Sequence, residues 1–171
     1  MTLAVRHSRC VAPLVLMVGL AGCARDDEAA QRERLMAWVS LGETVAFEAG
    51  PRCAVGVYEL VTPDVKSALP LTDSMGAMRR AIAARGAAAV RLPGQGGDAV
   101  LVAMVNHHRE TGMAMRRAAL EARPCMDATA EGAVRQALER PGTIVAWDAD
   151  AGMLALMAPG AGRIVTMTGG G

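Results

Sequence analysis

Three patterns of apolar and polar positions succeed one another along this chain, and each predicts a different element. Residues 11–19 are almost wholly apolar, broken only by Pro13, and are too few to cross a bilayer as a helix. Over residues 26–41 the charges crowd the start (Asp26, Asp27, Glu28, Arg32, Glu33, Arg34), and Leu35, Trp38 and Val39 then recur at helical spacing. That spacing predicts an amphipathic helix ended by Gly42, its early acids placed at the positive end of the helix dipole. Residues 44–48 and 53–61 read as strands, the second bounded by Gly50-Pro51 and Thr62-Pro63, and the two are expected to form a hairpin.

Further on, Thr72 or Asp73 is expected to cap a helix with Met75, Met78 and Ile82 on one face and Gly86 at its end. Residues 88–92 suit a short strand, and 93–97 a loop. The run 100–105 is uniformly apolar, which fits a buried strand or a helix. Asp98 as a cap and the helical character of 109–123 favour one long helix, weak at Gly112 and stopped by Pro124. Asp127 caps a last helix with Val134 and Leu138 on its buried side, ended by Pro141-Gly142. Residues 143–148, 153–157 and 163–168 are then three short strands joined by turns rich in Asp, Gly and Pro, a β-meander. The fold class expected is α+β: a small antiparallel sheet that includes this C-terminal meander, with three to four helices packed on one face.

The first 23 residues add a different kind of signal. Arg6, His7 and Arg9 precede the apolar run, and Leu20-Ala21-Gly22-Cys23 follows it. This order resembles the signal peptide and lipobox of bacterial lipoproteins. The resemblance implies that residues 1–22 are removed, that Cys23 receives a diacylglyceryl group, and that the new amino end is acylated. It divides the chain into a signal (1–22), an anchor with its helix (23–42) and a single globular periplasmic domain (43–171). Each buried CH₂ of such a lipid contributes about 0.8 kcal/mol, so two or three chains hold a protein to the membrane, its first expected partner. Ala24 and Arg25 follow the Cys where the inner-membrane retention signal of enteric bacteria has Asp. By that analogy the address is the outer membrane, facing the periplasm.

Composition narrows the function further. Without its first 22 residues the chain keeps 149, of which 16 are basic and 17 acidic, and no basic block occurs, so nucleic acid is not an expected partner. Aromatic residues make up 2% of the chain, so the core must be built from Ala, Val, Leu and Met. Cys10 would leave with the signal and Cys23 would carry lipid, leaving Cys53 and Cys125 as the remaining thiols. In an oxidising compartment such a pair is expected to form a disulfide; a buried reduced pair, or Cys125 as a soft metal ligand, are the alternatives.

Candidate chemistry is sparse. Only His107, His108, Ser40, Ser67 and Ser74 remain of their kinds beyond the signal, and no G-x-S-x-G, H-E-x-x-H, C-x-x-C or phosphate loop occurs. The repeat of Ala77-Met78-Arg79-Arg80-Ala81 as Ala114-Met115-Arg116-Arg117-Ala118 lacks matching flanks and reads as coincidence. The one metal constellation is Met104, His108 and Met115, which share a face if 98–123 is a single helix; thioether and imidazole there suit copper. Against it, Met is the natural core filler in a chain so poor in aromatics. The leading expectation is therefore a non-enzymatic, lipid-anchored envelope module that binds or helps assemble another envelope protein. A copper-handling lipoprotein stands second and a cell-envelope hydrolase last.

Overall fold

The structure, a computed structural model, describes residues 27–169. The expected signal peptide and Cys23 lie outside the described residues. The described chain is a mixed α/β fold of five α-helices and a seven-stranded sheet. In chain order these are α1 (Glu28–Trp38), β1 (Leu41–Gly50), β2 (Cys53–Leu60), β3 (Leu71–Thr72), α2 (Met75–Arg85), β4 (Ala87–Val90), α3 (Gly97–His107), α4 (Arg109–Glu121), α5 (Ala128–Glu139), β5 (Ile144–Asp148), β6 (Met153–Ala158) and β7 (Arg163–Gly169). The sheet runs β1-β2-β7-β6-β5-β4-β3, antiparallel throughout except where β3 lies parallel to β4.

The expected hairpin and meander are both present. β1 pairs with β2 from Leu41–Leu60 to Gly50–Cys53. β5, β6 and β7 follow one another antiparallel, with Val145 opposite Leu156 and Leu156 opposite Val165. The meander's last strand then pairs with β2, Val57 opposite Val165, which joins the two expected pieces into one sheet. The sheet is therefore larger than the small one expected, and the helices number five rather than three or four.

The helices also cover both faces, not one. Side chains alternate strictly along each central strand. Val55, Val57, Leu154, Leu156, Val165 and Met167 enter a core shared with α2 to α5. Tyr58, Ala146, Met153, Ala155, Met157 and Ile164 point the other way, into a second core with Leu35, Trp38 and Val39 of the α1 segment. A strand buried on both faces has no need of polar alternation, which is why β6 reads as the unbroken run MLALMA.

Two local expectations change. The long helix over 98–123 is two helices, α3 and α4, meeting at His108. That residue is extended (φ −147°, ψ 92°), ends one helix and caps the next. Gly112 makes the reversal possible: a Cβ there would lie 2.5 Å from the backbone N and Cα of Val105, so only glycine allows α4 to pass so close to α3. Further, α2 is capped by Ser74 rather than Thr72 or Asp73, and ends as expected at Gly86, whose φ of +76° favours glycine. Asp127 caps α5 as expected, accepting from the Ala130 N–H. α1 ends earlier than expected, at Trp38, because Gly42 is already within β1.

Candidate functional site

α1 seats on the sheet through a buried polar cluster that sequence reasoning missed. The exposed residue before it, Asp27, caps it by accepting from the Ala30 N–H at 2.8 Å. One turn in, Gln31 is fully buried. Its Oε1 accepts from the Tyr58 hydroxyl at 2.7 Å and the Thr166 hydroxyl at 2.5 Å. Its Nε2 has no hydrogen-bond partner among the described residues. Gly56 makes room for this arrangement, since a Cβ there would collide with the Gln31 amide and the Tyr58 hydroxyl. Around it, Arg32 donates to the Thr44 hydroxyl at 2.8 Å and the Gly42 carbonyl at 2.9 Å, and Thr44 donates to Glu28 at 2.6 Å. The signal for a buried Gln31 was its position: with Leu35 and Trp38 it completes an i, i+4, i+7 stripe, so it occupies a core site.

Cys53 and Cys125 are joined by a disulfide, with Cα atoms 6.0 Å apart and a separation of 72 positions in sequence. The bond ties the start of β2 to the short 3₁₀ turn Arg123–Cys125 that follows α4. It lies at the end of the sheet where the β1–β2 hairpin turns through exposed Pro51 and Arg52. Beside it is an open cavity of about 520 Å³ lined by Pro51, Arg52, Cys53, Glu121 and Pro124.

The helix break divides the Met/His constellation between two helices. Met104 lies on α3 and Met115 on α4, both essentially fully buried in the core of the helical layer. His108 sits between the helices, half-buried, with Nδ1 facing the Thr111 N–H at 3.4 Å and hydroxyl at 2.9 Å. The single helical face that would have aligned the three does not exist, because 98–123 is not one helix. Among the described residues no group of three or more His, Cys, Asp or Glu is placed to hold a metal ion.

The other candidate groups lie apart from one another on helix ends and outer faces. Ser74 caps α2, its Oγ accepting from the Ala77 N–H at 3.4 Å. His107 is exposed, with its ring near Gly76 and the Arg80 guanidinium at the same place on α2. Arg79, Arg80, Arg116 and Arg117 are all exposed on the outer faces of α2 and α4. No helix of the described residues is long and apolar enough to cross a membrane. Comparison with protein-family models, with curated proteins and with solved structures finds no match to this chain.

Proposed function

We propose that the protein is a lipid-anchored component of the bacterial cell envelope. Cys23 carries the lipid, the domain faces the periplasm from the outer membrane, and it works as a non-enzymatic module that binds or helps assemble another envelope protein. The observation that carries this reading is the Cys53–Cys125 disulfide, since such bonds persist in oxidising compartments and are rare in the cytosol. Asp27, the cap of α1, stands four residues after Cys23, so a cut before Cys23 spares every described residue of both cores.

Ser74 and His108 cap helices, while Tyr58, Thr166 and Gln31 bind one another. A partner would find exposed apolar side chains at the end of the sheet opposite the disulfide. Met36 is 48% exposed in the last turn of α1, and Val61 is 67% exposed just after β2. The test is fractionation of cells that make the wild type or Cys23→Ser. The wild type is expected in the outer-membrane fraction and the variant in the soluble periplasm. A variant that stays with the membrane would overturn the anchor.

A further inference from the structure

On the helical face of the sheet, α3, α4 and α5 converge without closing the space between them. The gap is a cavity of about 130 Å³, and its floor is Leu154, Leu156 and Met167 of β6 and β7, all essentially fully buried. Apolar side chains of the three helices, Val134 of α5 among them, form its walls; Asp98 and Arg116 are its only polar lining residues. An apolar cavity of roughly 150 Å³ stays dry and takes up one benzene. This one therefore has room for a single leucine- or phenylalanine-sized side chain.

The rim carries what would fill the hole. Leu120, in the last turn of α4, stands at the lip and is 62% exposed. Asp98 and Arg116 are exposed at the same rim, and neither is ion-paired among the described residues. A patch that holds an apolar knob, a hole of matching size and one free charge of each sign is complementary to itself under a two-fold rotation. A small apolar ligand would account for the hole alone. A second copy accounts for the knob and for both charges as well.

We propose that this face is a two-fold dimer interface. Leu120 of each copy fills the cavity between α3, α4 and α5 of the other, and Arg116 of each meets Asp98 of the other. The cavity and α1 lie on opposite faces of the sheet, so the pairing leaves α1 outside the interface. It does not depend on a lipid at Cys23.

The test is photo-cross-linking of the full chain in cells that make two differently tagged copies. The reactive side chain is placed at Arg117 or, for comparison, at Val61; both positions are exposed. Arg117 stands three residues before Leu120 and outside the cavity lining. A covalent dimer of the two tags is expected severalfold more often from Arg117 than from Val61. Leu120→Ser removes the knob from an exposed position, where the fold tolerates change, and Val134→Phe fills the hole. Each is expected to suppress the dimer. Cells that make one copy of each variant should regain part of it, because Leu120 of the Val134→Phe copy still meets an open cavity in the Leu120→Ser copy. Arg116→Glu is expected to weaken the pairing, and Asp98→Arg added to it to restore the dimer. No dimer from Arg117, an adduct with another protein in its place, or a dimer that Leu120→Ser leaves unchanged overturns the pairing. A charge-swapped chain that pairs no better than Arg116→Glu overturns the contact between Arg116 and Asp98.

Discussion

On one face of the sheet Val55, Leu154, Leu156 and Met167 meet four helices in a core of aliphatic and thioether side chains. On the other, Tyr58 and Thr166 meet one helix through hydroxyls that share a single amide oxygen. The same strands supply both faces, so the difference lies in what each face must specify. Four helices packed side by side restrain one another. A lone helix on a smooth apolar surface has few features to fix its position, and a buried hydrogen-bonded cluster supplies them. Here the cluster fixes the helix nearest Cys23.

The contrast makes predictions that differ in size. The disulfide, which staples the helical layer to the sheet, has the largest effect. Closing a loop of 72 residues stabilises the fold by about 4 kcal/mol in the chain-entropy model. Urea unfolding of the soluble domain, with Cys23 replaced, should show a loss of that order on reduction or in the Cys53→Ser, Cys125→Ser pair. An unmoved midpoint would mean that packing alone holds that end.

Next come single side chains in the two cores. Leu35→Ala and Met115→Ala each remove a fully buried side chain and should cost about 3 kcal/mol. Native-state hydrogen exchange separates them. Leu35→Ala is expected to speed exchange in α1 before the meander, whereas Met115→Ala should lower protection across α3, α4 and β6 together. Uniform loss in both variants would erase the distinction between the faces.

Gly112→Ala tests the close approach of α3 and α4. Helix propensity alone would favour Ala by about 1 kcal/mol. The collision with the Val105 backbone should outweigh that and leave a net loss of about 2 kcal/mol. A stabilised variant would show that the two helices separate freely. The smallest effect is expected for Gln31→Met. It removes an acceptor from two hydroxyls but also removes a buried amide nitrogen that has no partner, and it keeps an apolar contact with the sheet. The change should stay within about 1 kcal/mol. A loss several times larger would make the amide cluster the main tie of α1 to the sheet.

Much of the fold was legible because its elements carry their own punctuation. Asp127 and Gly86 mark helix ends by capping, and Gly50-Pro51 and the turns at 149–152 and 159–162 mark hairpins. The second buried face was legible too, in the absence of polar alternation along β6, but the expectation of helices on one face overlooked it. The break at His108 was harder to read. Its cause is long-range, the approach of Gly112 to the Val105 backbone, and local propensity favours helix on both sides. The common helical face drawn for Met104, His108 and Met115 is absent for that reason, since it was taken from one continuous helix. Gln31 was hidden by type: a glutamine among Glu28, Arg32 and Glu33 reads as solvent-facing until the i, i+4, i+7 stripe with Leu35 and Trp38 is counted.

The central claim is the proposed lipid anchor at Cys23. The most direct measurement is the mass of the N-terminal peptide of the protein extracted from cell membranes. The account predicts a chain that begins at Cys23, with a diacylglyceryl group on its sulfur and an acyl chain on its amino end. An unmodified Cys23, or a mature chain that begins elsewhere, would contradict it.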